Sequence, residues 1–188
     1  MRSAASSSHL PALEEMRKML CVIAKLDHQA TGRLNEIQRS AFPAGTERKT
    51  IYGHITLATY IGEDEASFIQ SCRKSMADVS AFDIVYDRIE VLEETSIIVA
   101  APAKSEPLSS LHRCIAEQYN DALDRWTKEG CWYPHTTLVF DPRADLNRIC
   151  NKMADSFSPF RACVYKIEFS RVCANAYEII DSMDLCSQ

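Results

Sequence analysis

The 188-residue chain lacks the signatures that would place it quickly in a common functional class. It has no excess of positive charge, no long apolar run, no C-x-x-C pair and no H-E-x-x-H. A net charge of −5 argues against a broad, non-specific duplex-binding surface, which is normally basic. It leaves room for a small nucleotide or an RNA end in a locally basic cleft. No run approaches the length needed to span a bilayer. The apolar stretch Met19 to Ala24 is too short for a signal-peptide core and lacks a cleavage pattern. The expectation is a cytoplasmic, monomeric protein without membrane association. Eight cysteines form no short secreted framework, and Cys21 and Cys163 sit in apolar runs where a thiol behaves as a small hydrophobe. Reduced, buried cysteines are expected.

With 46% apolar residues and enough length to build a core, the chain reads as one domain. Residues 1–18, whose first ten are rich in Ser and Ala, read as a flexible segment, and 19–188 as a single two-lobed domain. Met19 to Leu26 reads as a strand buried on both faces, and Asp27 as the N-cap of a helix with Leu34, Ile37 and Phe42 inside. Pro43-Ala44-Gly45 ends that helix. A strand is expected over Tyr52 to Tyr60, a helix from Gly62 to about Val79, and strands over Phe82 to Leu92 and Ser96 to Ala101, joined through Glu93-Glu94-Thr95.

The same order then returns. A break over Pro102 to Pro107 leads to an amphipathic helix carrying Leu108, Leu111, Ile115, Tyr119, Ala122 and Trp126. Gly130 stops it, Trp132 to Phe140 reads as a strand, and Asp141-Pro142 opens a helix through Leu146, Ile149 and Met153. Strands over Arg161 to Val172 and Tyr177 to Met183 follow. Strand, helix, strand, helix, strand therefore occurs twice, an internal duplication, with the lobes exchanging near 93–101. The fold class is α+β: a duplicated two-lobe fold with largely antiparallel sheets lining a central cleft and helices outside.

Each repeat carries one His-x-Thr-Leu: His54-Ile55-Thr56-Leu57 and His135-Thr136-Thr137-Leu138. A strand sends residues i and i+2 to one face. His54 and Thr56 thus point together, as do His135 and Thr137. A lone His on a strand is usually structural, and Thr is common in strands; the repetition within matching strands sets this pair apart. Two H-x-T-L motifs in a duplicated α+β chain resemble the two-histidine (2H) phosphoesterases, which include the 2′-5′ RNA ligases and cyclic phosphodiesterases. Trp132-Tyr133-Pro134-His135 and Tyr165-Lys166-Ile167-Glu168-Phe169-Ser170 are similar to segments of that family. The resemblance covers residues 19 to 183; Tyr52-Gly53 and the remaining loops do not contribute to it.

Cleaving a phosphodiester needs a base for the attacking oxygen and an acid for the leaving one, and two imidazoles that titrate near neutrality supply both. The expected activity is a phosphoric diester hydrolase without cofactor or metal. It would act on 2′,3′-cyclic phosphate or 2′-5′ phosphodiester bonds of nucleotides or short RNA ends, with His54 and His135 catalytic and Thr56 and Thr137 binding phosphate. Tyr52 and Tyr133 share the histidine faces by parity and are candidates for base stacking; Arg171, and less directly Arg143, for positive charge. Two histidines could also begin a zinc site, but a third ligand of suitable spacing is missing. A cysteine nucleophile finds no neighbouring His. His9, His28 and His112 have no partner motif and read as surface residues. The alternative from another class is a nucleotide- or phosphate-binding protein that uses the same cleft without turnover.

Overall fold

The computed structural model describes residues 19–92, 95–172 and 177–186. The apolar runs form strands and the 3.6-period segments form helices, in the order β1 (Leu20–Leu26), α1 (His28–Ser40), β2 (His54–Tyr60), α2 (Glu65–Ser75) and β3 (Phe82–Val91). Then come β4 (Ile97–Pro102), α3 (Glu106–Tyr119), β5 (Thr136–Phe140), α4 (Leu146–Ser156), β6 (Phe160–Val172) and β7 (Tyr177–Asp184). All strand pairs are antiparallel and belong to one sheet, ordered β2-β1-β6-β3-β4-β5, with β7 on the free stretch of β6. The α+β architecture expected from the sequence is therefore the one formed. Residues 1–18, Glu93 and Glu94, on which further expectations fall, lie outside the described residues.

The strand order shows how the two repeats are joined. The third strand of the first repeat, β3, lies beside β4 of the second, and the third strand of the second, β6, lies beside β1 of the first. Each repeat gives its last strand to the other. The two exchanged strands meet, Phe82–Tyr86 against Val164–Phe160, at the middle of the sheet. Half-sheets β2-β1-β6 and β5-β4-β3 thus mirror each other across that seam, related by the exchange.

The helices cover one face. Leu20, Val22, Ala24 and Leu26 of β1, Ile98 and Ala100 of β4, and Leu34, Phe68, Leu111 and Met153 from the four helices belong to one apolar cluster. Removing such side chains from water is the main stabilising term, about 1.5–3 kcal/mol for each of the larger ones. Cys21 and Ile23 of β1 and Val99 and Ala101 of β4 are equally buried but belong to the opposite face, outside that cluster. Among the described residues no helix is long and apolar enough to cross a membrane.

Several element ends differ from expectation, each for a local reason. Asp27 does cap α1, its Oδ1 accepting from the Ala30 amide at 2.8 Å. The helix over residues 65–75 stops short of Val79 because Val79 and Ala81 exchange backbone hydrogen bonds with Cys186. Helix α3 ends at Tyr119, since Ala122 and Asp124 bond the backbone of Ile61 and Thr59 instead; Trp126 lies beyond the helix, 53% exposed. The Asp141 carboxylate caps a turn through the Arg143 amide, and α4 starts only at Leu146 under the Asp145 cap. The seven described cysteines are free but not uniformly buried: Cys131 and Cys186 are exposed and Cys163 is half-buried.

Candidate active site

The two motifs obey strand parity. Ile55, Leu57, Thr136 and Leu138 are buried on the helix-covered face, whereas His54, Thr56 and His135 are half-buried and Thr137 is exposed on the other. Neither histidine sits in mid-strand. His54 opens β2 directly after Gly53, which has φ 65° and is packed so closely that a Cβ there would lie 2.1 Å from Thr31 Oγ1. Only glycine meets both demands. His135 precedes β5 because Pro134 has no amide hydrogen to give to the ladder. Tyr52 and Tyr133 precede these breaks, their rings 5.9 Å and 6.2 Å from the imidazoles of His54 and His135.

Strands β2 and β5 are the two ends of the sheet, yet side chains tie them together. Thr136 Oγ1 donates to the His54 carbonyl at 2.7 Å and is held by the buried Tyr86 hydroxyl at 2.6 Å. Trp132 Nε1 donates to the Thr56 carbonyl at 2.8 Å, and Gln38 Nε2 to the Leu138 carbonyl at 2.6 Å. The residue between His135 and Thr137 is thus a strut that fixes one motif against the backbone of the other. Consistent with that proximity, charge on His135 disfavours charge on His54.

Both lobes dress their histidine in the same way. In the first, the Tyr52 hydroxyl donates to Glu168 Oε2 at 2.8 Å; in the second, the Tyr133 hydroxyl donates to Glu90. Glu168 stands on β6 beside Ile23, Glu90 on β3 beside Val99, and Ile23 and Val99 stand beside Thr56 and Thr137. The sequence signal for these carboxylates is a second repeat outside the histidine motifs, Arg88-Ile89-Glu90 and Lys166-Ile167-Glu168.

One position breaks the symmetry. Lys25 is the β1 neighbour of His54; stepping the β4–β5 register one residue past the Ala100–Thr136 pair puts Ala101 at the matching place beside His135. The Lys25 ammonium bonds the Tyr52 carbonyl and lies 3.1 Å from the centre of the Tyr52 ring. Burial, then the Lys25 charge, then His135 push the His54 imidazole down to about 3. Burial also lowers His135, but its hydrogen bond to the Tyr133 carbonyl and the Glu90 carboxylate oppose the shift. That bond, His135 Nδ1–H to Tyr133 O at 2.8 Å, leaves Nε2 as the nitrogen available for chemistry.

The remaining candidates divide. Tyr52 and Tyr133 stand by the histidines. Arg171 does not: it neighbours Leu20 on the helix-covered side and pairs with Glu65 of α2. Its position on β6, odd where Glu168 is even, turns it away from the face that carries the histidines. Arg143 is exposed in the turn after β5. His28 is exposed as expected, whereas His112 is not a surface residue. It is buried, stacked on Trp132 at 4.2 Å, with Nε2 bonded to the Thr127 carbonyl at 2.9 Å. His9 lies outside the described residues.

A sequence profile of the 2′-5′ RNA ligase superfamily matches residues 26–172, most of the chain. The chain belongs to the 2′-5′ RNA ligase superfamily. It is thereby a two-histidine phosphoesterase by family, as the paired motifs suggested. No curated protein sequence matches it. Among solved structures, Escherichia coli LigT complexed with 3′-AMP is similar over 89% of this chain and 97% of its own, with TM-score 0.59 and 15% identity. TT0787 of Thermus thermophilus covers 90% and 99%, with TM-score 0.63 and 14% identity. Usb1 of Kluyveromyces marxianus with uridine monophosphate covers 91% and 99%, with TM-score 0.51 and 12% identity. At these identities the likeness is one of fold, and the functional reading rests on this chain's own residues.

Proposed function

We propose that the protein is a phosphodiesterase that opens 2′,3′-cyclic phosphates, or cleaves 2′-5′ phosphodiester bonds, at nucleotides or RNA ends by proton transfer between His54 and His135. The observation that carries this reading is the pair of clamped motifs whose imidazoles differ in electrostatic setting. His54, held neutral by burial and by the Lys25 charge beside it, serves as base; His135, whose lowering by burial the Tyr133 carbonyl and Glu90 oppose, is the better carrier of a proton and serves as acid. In hydrolysis His54 takes a proton from water, and the water oxygen bonds to phosphorus. The phosphorus–oxygen bond to the ribose breaks, and the leaving oxygen takes the proton of His135. Run backwards with a ribose hydroxyl in place of water, the same transfers join two ends.

Thr56 and Thr137 donate to the non-bridging oxygens, whose charge changes in the transition state. Lys25 adds a cation on the His54 side. The Tyr–Glu pairs hold the walls of the cleft and offer ring faces to a base. That LigT and Usb1 structures hold 3′-AMP and uridine monophosphate supports a nucleotide as the ligand class.

A panel of 2′,3′-cyclic nucleotides and 2′-5′ and 3′-5′ dinucleotides, with products identified by mass, tests the reading. Conversion of a cyclic phosphate or a 2′-5′ dinucleotide, persisting in excess chelator, is expected. Tight binding with no product from any member would make the protein a nucleotide binder. Activity lost to chelation and restored by a divalent metal would replace the proton-transfer scheme with a metal-dependent one.

A further inference from the structure

The two lobes differ where the strand before each helix turns into it. In the first lobe the turn is closed: Asp27 follows β1 directly, and its carboxylate is used twice, on the amides of Ala30 at 2.8 Å and Cys163 at 2.5 Å. In the second lobe the longer turn from Pro102 to Ser105 leaves a cavity of about 260 Å³ between α3 and the approach to His135. Arg88, Lys104, Ser109, Trp132, Tyr133 and Pro134 are among the residues that line it, and among the described residues no Asp or Glu does. Tyr133 and Pro134 place its wall within two residues of His135, at about 3.8 Å per step.

Among the described residues two cations, Arg88 and Lys104, line this cavity in a chain whose net charge is −5. The Arg88 guanidinium is already held by Asp87, Glu90 and the Tyr133 hydroxyl, so it shapes the wall more than it charges it. Lys104 is different. It is exposed, and among the described residues its ammonium has no hydrogen-bond or ion-pair partner, only a weak field felt by Glu106. The hollow on the far side of Trp132, about 170 Å³, is lined by Glu129 as well as Arg113 and so is less suited to an anion.

We propose that the cavity beside Lys104 is a second anion subsite that takes the phosphate of the nucleotide next to the reacting one, making the preferred substrate an oligonucleotide end rather than a mononucleotide. This rests on the phosphodiesterase reading for the location of the reacting phosphate. The chain extends over the second lobe, since the matching turn of the first presents Asp27 where the second presents Lys104 and Ser105. A single added contact to Lys104 is enough for this reading, and no long basic track is needed.

Binding can be measured without turnover. Trp126→Phe removes the exposed tryptophan and leaves Trp132, in the cavity wall, as the only one in the sequence. Its fluorescence is titrated with a deoxynucleoside 3′-phosphate and with a deoxydinucleotide bearing a 3′-phosphate, neither of which has a 2′-hydroxyl to react. The dinucleotide should bind about tenfold more tightly, as a charge-assisted hydrogen bond gives. Lys104→Ala should abolish that advantage and leave mononucleotide affinity within about twofold, and the advantage should shrink with salt. Equal affinities, an equal loss for both ligands on Lys104→Ala, or binding by neither overturns the subsite. Turnover of a 2′,3′-cyclic mononucleotide and of a dinucleotide with the same end is assayed alongside. A dinucleotide advantage in binding with no turnover of either would sink the phosphodiesterase reading and leave the subsite standing.

Discussion

The two lobes carry the same parts in the same places: Tyr-x-His-x-Thr at the edge strand, and a basic residue, Ile and Glu on the exchanged strand. They differ in what stands beside the histidine. The first lobe puts Lys25 next to His54, and the second puts Ala101 in the matching position. The backbone before the histidine also differs, Gly53 in one lobe and Pro134 in the other. Duplication by itself yields two equivalent imidazoles, and an acid–base pair needs two unequal ones. Burial depresses both imidazoles; the Lys-for-Ala difference on the adjoining strands then adds a neighbouring cation on the His54 side alone, and a nearby like charge disfavours the charged form of a titrating group.

The most severe way to break the comparison is to remove either histidine. His54→Ala and His135→Ala should each lower kcat by about 10²-fold or more, the contribution general acid–base catalysis typically makes. The double variant should be little worse than the poorer single one, because both act in one proton-transfer unit. Near-normal turnover by either single variant on a substrate that the intact protein converts would refute the assignment.

The backbone devices come next. Gly53→Ala meets both a positive φ and Thr31 at 2.1 Å, so it should destabilise the fold by about 1–3 kcal/mol, seen as a lower urea midpoint. Pro134→Ala removes a constraint rather than adding a clash, and should cost less than about 1 kcal/mol. If the two substitutions cost the same, the tight approach of α1 under Gly53 is not what sets the first motif.

The third test exchanges the asymmetry itself. His54 must be neutral to act as base, so the rate rises as pH climbs through its pKa; His135 must be protonated, so the rate falls above its own. Lys25→Met removes a cation that depresses His54, and the acidic limb should move to higher pH. Ala101→Lys should depress His135 and move the alkaline limb to lower pH. In stability the sign is the same for the buried base. His54 titrates near 3 in the folded chain against 6.5 for the free residue, so its contribution is present above about pH 6.5 and is lost as pH falls toward 3. His54→Gln should flatten that part of the stability profile.

Much of this is legible in the sequence because the signals are periodic. Strand parity puts His54 with Thr56 and His135 with Thr137, and the repeated element order implies two related lobes. The exchange of β3 and β6 is not legible, since pairing partners distant in sequence leave no local trace. Arg171 misleads for a parity reason: three residues past Glu168, it faces the helices. His112 misleads because a lone imidazole on an amphipathic helix gives no sign of the Trp132 ring that buries it. Thr136, which parity assigns only to the opposite face, ties the motifs together by donating to the His54 carbonyl, a contact between residues 82 apart.

The smallest expected difference is between the two threonines, and it tests how far the lobes are equivalent toward the phosphate. Thr56 is half-buried beneath the wall that Trp132 closes on its carbonyl, whereas Thr137 is exposed. A hydroxyl already shielded from water gives more when it bonds a phosphate oxygen, because bulk solvent competes less for it. A typical hydrogen bond contributes about 0.5–1.5 kcal/mol, or roughly two- to tenfold. Thr56→Ala should therefore lower kcat/KM toward the upper end of that range and Thr137→Ala toward the lower, each also raising KM. Thr56→Ser should restore most of the loss, since it returns the hydroxyl and removes only a methyl group. Were Thr137→Ala the more damaging, the substrate phosphate would sit closer to the second lobe than the burial of the two threonines indicates, and closure of the exposed side over the substrate would have to follow binding.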